Sequence, residues 1–183
     1  MGFIGLFFKN KREIKKSDIE QFISQKIEEN SKLDYKEIES YQNAKGLSIH
    51  ISNFANSEGG LIILGISQDR IEDDKGKIVK IFPKEITWGK ASLEKESLEN
   101  KFTAFINPPI NGLVIKPVRN KKNEVIFLID IPKSPISPHM AHDHRYYKRL
   151  NFRKKMKCLK CGCSWNRSKW SEYTSFLGKC PEV

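Results

Sequence analysis

The sequence predicts an α+β fold: one compact domain with a mixed β-sheet flanked by helices, followed by a short cysteine-rich tail. Three observations carry that expectation. Residues 49–67, IHISNFANSEGGLIILGIS, read as the end of a helix, a two-glycine turn and a buried strand. Helical and strand periodicities then intermix along the chain without strict βαβ alternation, which points to a mixed sheet. All four cysteines fall from Cys158 onward, which sets the tail apart. The expected organisation is a basic arm over residues 1–16, the domain over 17–155 and the tail over 156–183.

The elements follow in order. Residues 1–8 are apolar, but the basic residues come after them and no small-residue cleavage site appears, so they make a poor secretory signal. Leu6 stands where a myristoylation signal needs Ser or Thr. Residues 9–16 are a basic run, read as a solvated arm. Ser17, Asp18, Ile19 and Glu20 form a capping-box pattern, which starts a helix expected to run to Glu29 or Asn30. Residues 33–37 alternate like a short strand.

Ala44, Leu47, Ile51, Phe54 and Ala55 recur every three or four residues, so one stripe of a helix faces a core. Gly59 and Gly60 supply the left-handed backbone that closes it. Leu61, Ile62, Ile63 and Leu64 are apolar on both faces of a strand, which therefore belongs at the centre of the sheet.

Residues 68–77 are polar and predict a loop or hairpin, with a strand returning at 78–82. Leu98, Phe102, Phe105 and Ile106 place a helix over 93–106, stopped by Asn107, Pro108 and Pro109. Strands follow at 113–118 and 125–131, then a proline-rich loop over 132–139 and a last strand over 146–150.

Charge narrows the function. The 183 residues hold 33 Lys and Arg against 22 Asp and Glu, a formal net charge of +11, and the pI is near 9.5. Such a balance favours a polyanionic partner: nucleic acid, DNA or RNA, first and an anionic membrane surface second. The apolar run at 61–64 falls far short of the about 20 residues that cross a bilayer, so no membrane partner is expected. Oligomeric state is left open, a homo-oligomer included.

The basic residues concentrate near the end of the domain. From His144 to Ser171 there is no acid, while Arg145, Lys148, Arg149, Arg153, Lys154 and Lys155 alternate with Tyr146, Tyr147 and Phe152. Cations contact phosphates and exposed aromatic rings stack on bases. Arg145, Tyr147, Lys148, Arg149, Arg153, Lys154 and Lys155 are the candidate nucleic-acid contacts. The alternative is a solubilising tail whose aromatics pack inward.

Cys158 and Cys161 have zinc-knuckle spacing, with Cys163 and Cys180 beyond. Four thiolates complete a tetrahedral Zn²⁺ site. A ribbon wants a second C-x-x-C, however, so either Cys163 fills the fourth place or a ligand is missing. A core of this size has no need of disulfides, and a reducing, cytoplasmic setting is expected. Among the histidines, His50 lies beside Leu47, Ile51 and Phe54 and reads as a satisfied core residue. His139, His142 and His144 read as phosphate contacts or as plainly exposed.

Five stretches together resemble the Schlafen AlbA-type domain. They are Leu33 to Glu37 (LDYKE), Ser52 to Gly60 (SNFANSEGG), Leu64-Gly65-Ile66, Pro138 to Ala141 (PHMA) and Arg145 to Arg149 (RYYKR). The resemblance runs from about residue 17 to about residue 155. It implies a compact α+β domain that binds nucleic acid, DNA in particular. No Walker-type glycine loop is present, so no ATPase part is expected.

The wider Schlafen group includes metal-dependent endoribonucleases that cut structured RNA such as tRNA. By position, the resemblance carries their first two acids onto Glu29 and Asp34. Ser67 and Gln68 stand nearest to the third, with Asp69 the nearest carboxylate. Metal-assisted phosphodiester cleavage needs two or three carboxylates converging on Mg²⁺ or Mn²⁺. In Asp34-Tyr35-Lys36 the acid and the lysine share one strand face, so Lys36 is placed to neutralise a phosphate. The alternative is that Glu29 ends a solvated helix and that Asp34 and Lys36 are surface charges. The expectation is therefore a nucleic-acid-binding domain contacting phosphates through its C-terminal basic cluster, with a Schlafen-type endoribonuclease using Glu29, Asp34, Lys36 and Asp69 as the alternative.

Overall fold

The computed structural model describes residues 2–8, 13–149 and, for the backbone, 153–155. Its main sheet has the strand order β1-β2-β6-β5, formed by Leu33–Lys36 (β1), Gly60–Leu64 (β2), Val114–Arg119 (β5) and Val125–Ile131 (β6). β1 runs parallel to β2 and the other neighbours are antiparallel, so the sheet is mixed. The fold is α+β, as its sequence predicts.

The central unit forms as its pattern requires. Helix α3 (Ala44–Ala55) starts where the Asn43 side chain accepts the Gly46 amide at 2.9 Å, a side-chain cap for a donor with no partner inside the helix. Its apolar stripe, Leu47, Ile51, Phe54 and Ala55, is buried. Gly59 takes φ +73°, and its amide returns to the Phe54 carbonyl at 2.9 Å. β2 then enters the sheet as an interior strand, buried at every residue.

Both sheet faces are covered. On one, Ile62, Leu64, Phe127 and Ile129 pack with α3, helix α4 (Lys95–Phe105) and the 3₁₀ turn Ile38–Tyr41. On the other, Leu61, Ile63, Ile126 and Leu128 pack with helices α1 (Phe3–Phe7) and α2 (Lys16–Ser24). Two further hairpins complete the architecture: β3 (Ile66–Glu72) with β4 (Ile78–Ile86), and β7 (Tyr147–Arg149) with β8 (Arg153–Lys155). Among the described residues no helix is long and apolar enough to cross a membrane.

The fold adds to one expectation, corrects a second and settles a third. Ahead of the basic run, α1 packs on the sheet with Phe8 buried, and the Asp130 carboxylate accepts the Phe3 and Ile4 amides at 3.0 and 3.1 Å; of the run itself, residues 9–12 lie outside the described residues, Glu13, Lys15 and Lys16 are exposed and Ile14 is buried. Helix α2 starts one residue early, with the Asp18 carboxylate accepting the Lys15 amide at 2.9 Å, and ends at Ser24. It stops because the backbone beyond it is drawn elsewhere: Lys26 turns to φ +46°, the Tyr35 hydroxyl donates to the Ile27 carbonyl, and the Glu29 amide donates to Ile81 of β4. Of the loop or hairpin expected over 68–77 the hairpin forms, and its strands reach further than expected, because their far end is solvated on both faces and shows no alternation.

Candidate functional site

Strand alternation turns Leu33 and Tyr35 toward α2, and Asp34 and Lys36 toward α3. Asp34 is thereby carried into the interior, with 1% of its surface exposed, so it is not a surface charge. Two cations and a histidine, from three elements, surround it. Lys36 Nζ lies 2.6 Å from Oδ1. His50 Nδ1, from α3, lies 3.0 Å from Oδ2, close but off the line of a well-formed N–H bond. Arg149 Nη1, from β7, lies 3.5 Å from the same oxygen.

Arg149 is itself 5% exposed and saturated with acceptors. Its guanidinium donates to the Asn30 carbonyl at 3.1 and 2.8 Å and to the Leu33 carbonyl at 3.1 Å. It also lies over the Phe54 ring, 4.3 Å from the centroid. Ser57 fixes the backbone around it, accepting the Arg149 amide at 2.8 Å and donating to its carbonyl. Arg149 therefore staples β7 to β1 and α3.

Glu29 completes the corner. Its Oε1 accepts the Tyr35 amide at 2.7 Å and Gln68 Nε2 at 2.8 Å, and the same Gln68 nitrogen donates to the Tyr35 carbonyl. Burial, then the neighbouring Asp34 carboxylate, push the Glu29 carboxyl up to about 8, against opposition from Lys36 and the Tyr35 amide. Burial alone would raise Asp34 too, but His50, Lys36 and Arg149 more than offset it and hold its carboxyl well below the usual range. The two acids thus share a site with one ionised and one protonated at neutral pH. Burial lowers the basicity of His50, with Asp34 opposing.

The corner gathers Glu29, Asp34 and Lys36 and leaves Asp69 out. Asp69 is exposed on β3, paired with Phe82, and its neighbour Gln68 takes the inward position because adjacent strand residues face opposite ways. The basic cluster divides as well. Arg149 is interior, and Tyr147 is 3% exposed with its hydroxyl donating to Asp143, so neither faces solvent as a nucleic-acid contact must. Tyr146 is buried. Arg145 and Lys148 are exposed.

The side chains of Arg153, Lys154 and Lys155, and all of Cys158, Cys161, Cys163 and Cys180, lie outside the described residues. His139 is fully buried, its Nδ1–H donating to the Pro108 carbonyl at 2.6 Å, which excludes it as a phosphate contact; burial lowers its basicity.

Two site residues escape a reading from sequence. His50 sits on the apolar helix and looks like core, yet it edges toward a carboxylate of another strand. Gln68 stands with Ser67 nearest to the third acid's place, but nothing local shows that its amide reaches Glu29.

As folded, the donor set does not fit a divalent ion. Mg²⁺ and Mn²⁺ need several oxygens with free lone pairs aimed at one point, whereas the oxygens here face Lys36, His50, Arg149, Gln68 and the Tyr35 amide. Among the described residues no group of three or more His, Cys, Asp or Glu is placed to hold a metal ion.

Comparison with solved structures finds the DIP2311 protein of Corynebacterium diphtheriae, with a TM-score of 0.49 and 17% identity over 76% of this chain. This chain spans 30% of that structure's length. It also finds the N-terminal domain of a Nitrosomonas europaea protein described as related to the ATP-dependent DNA helicase RecG, with a TM-score of 0.43 and 13% identity over 85% of this chain and 88% of that one. No curated protein matches. The family described as Schlafen, AlbA_2 matches residues 29–157. That match begins at Glu29 and takes in Asp34, Lys36, His50, Gln68 and Arg149, every side chain of the polar corner, and it covers most of the chain: the protein belongs to the Schlafen AlbA_2 family.

Proposed function

We propose that this protein is a nucleic-acid-binding module that grips the phosphate backbone through Arg145, Lys148 and the strand Arg153–Lys155. The observation that carries this reading is the register of the terminal hairpin, in which Lys148 pairs directly with Lys154. Like charges directly opposite one another weaken a strand pair. Lys148 is exposed at that pairing, where a bound phosphate would offset the repulsion, and Arg145 stands exposed three residues before it. A net charge of +11 supplies the sequence-independent attraction such contacts need. Cys158, Cys161, Cys163 and Cys180 belong to the same reading as a Zn²⁺ site beyond the hairpin, which metal analysis of the purified chain checks.

A second reading, a metal-dependent endoribonuclease cutting structured RNA such as tRNA, is favoured by one observation, the meeting of Glu29 and Asp34. One experiment separates the two. Labelled tRNA and duplex DNA are incubated with the protein in Mn²⁺ or EDTA at two salt concentrations. Binding that leaves the nucleic acid intact and weakens steeply with salt supports the module. Fragments that need Mn²⁺ and vanish in Asp34→Asn establish the nuclease instead.

A further inference from the structure

Three oxygens of the polar corner share two nitrogen donors: Glu29 Oε1, Asp34 Oδ1 and the carbonyl of Tyr35, which both donors reach. Two nitrogens already lie among them. Lys36 Nζ is 2.6 Å from Asp34 Oδ1 and 3.0 Å from the Tyr35 carbonyl. Gln68 Nε2 is 2.8 Å from Glu29 Oε1 and bonds the same carbonyl. Both nitrogens are donors only, and they converge on one acceptor from opposite sides of the acid pair. The remaining Asp34 oxygen faces His50 and Arg149.

We propose that Lys36 and Gln68 together occupy a divalent cation's place, which closes the corner to Mg²⁺ and Mn²⁺ and makes it the fixed base for the nucleic-acid-binding hairpin. Lys36 is the internal counter-ion. Its ammonium is turned back onto Asp34, with 19% of the side chain exposed, instead of reaching outward to a substrate phosphate. Gln68 takes the inward place that its neighbour Asp69 does not, and an amide brings no negative charge to a third metal ligand. Arg149 then ties the neutralised corner to β7, and so to Lys148. The role given to the hairpin rests on the binding reading; the exclusion of ions does not.

Mn²⁺ is the probe, because it takes the oxygen ligands of such a corner and neglects the thiolates of the tail. The full chain, Asp34→Asn and the double variant Lys36→Met/Gln68→Glu are compared by thermal melting across a Mn²⁺ series and by the loss of the free-Mn²⁺ EPR signal. The wild type is expected to show no melting shift and no uptake beyond that of Asp34→Asn. The double variant keeps the side-chain volumes but frees the oxygens and adds a carboxylate, so it takes up one Mn²⁺ per chain and melts higher as Mn²⁺ rises. Uptake by the wild type that Asp34→Asn abolishes overturns the proposal. A folded double variant that takes up no Mn²⁺ overturns it as well. Should circular dichroism show the double variant unfolded, Lys36→Met/Gln68→Ala, which removes both nitrogens without adding a charge, is measured with the same two outcomes. Gel shifts of tRNA and duplex DNA on the same wild-type sample, in EDTA and in Mn²⁺, read the other claim: no shift in either sinks the binding reading and leaves the ion result standing.

Discussion

Asp34 and Asp130 are both buried in the main sheet, 1% and 9% exposed, and they face opposite sides of it. Their register partners on β2 are Ile62, in the core beneath α3, and Leu61, in the core beneath α1 and α2. Asp34 is matched by side chains, the charges of Lys36 and Arg149 and the imidazole of His50, coming from three elements. Asp130 is matched by the backbone, through the first amides of α1. A carboxylate held by two adjacent amides anchors one short helix to the sheet. A carboxylate held by side chains from distant elements makes those elements mutually dependent, because removing one leaves the others with uncompensated charge.

The largest test of that difference is Arg149→Ala. Asp34 loses a buried partner, and two carbonyls lose donors, so urea denaturation should show a loss of about 3–5 kcal/mol; a loss under about 1 kcal/mol would mean that Lys36 and His50 suffice. Asp130→Ala should cost less, about 1–3 kcal/mol for two unmatched amides. Its effect should also be local, with fast hydrogen exchange at Phe3 and Ile4 while β2 and β6 stay protected. Equal global losses in the two variants would erase the contrast.

Spread across pH, and not read at a single value, is the effect of Glu29. Its folded pKa, about 8, stands above the ordinary 4.5, so the stability it contributes is full below pH 4.5 and is lost as pH rises through 8. Glu29→Gln copies the protonated carboxyl and should flatten that decline, as thermal melts across the range would show. Asp34 works in the other direction: its contribution is present above pH 3.8 and disappears as acid reaches its depressed folded pKa. Smallest for stability is Lys148→Ala, expected within about 0.5 kcal/mol of the wild type. The same substitution should reduce the salt slope of DNA binding by about 0.9. A stability loss as large as that of Arg149→Ala would place Lys148 in the scaffold.

How much of this was legible in the sequence depends on the range of the determining contacts. Helix α3, the turn at Gly59 and β2 follow from local periodicity and backbone freedom, and β5, β6 and α4 from the same kind of pattern. The grouping of Glu29, Asp34 and Lys36 follows from the family resemblance and strand alternation. Arg149 did not follow: within a basic run it looks like every other cation, and only pairing with a strand more than a hundred residues away shows that it is interior. Tyr147 misled in the same way, since its ring packs inward while its neighbour Lys148 points out. The apolar start resembles nothing in isolation, and its role appears only when Asp130 supplies the cap.

The Arg149 staple also bears on how the chain is made. The strands of the main sheet end at Ile131, and Arg149 follows them out of the ribosome. A nascent chain can therefore assemble its sheet while Asp34 still has only Lys36 and His50 beside it, and the last strand arrives to close an already formed scaffold. A chain halted before residue 149 is left with an aspartate short of one of its two counter-charges and with α3 lacking its contact with β7. Closure of the corner thus waits on the emergence of β7, after every strand of the main sheet has been made.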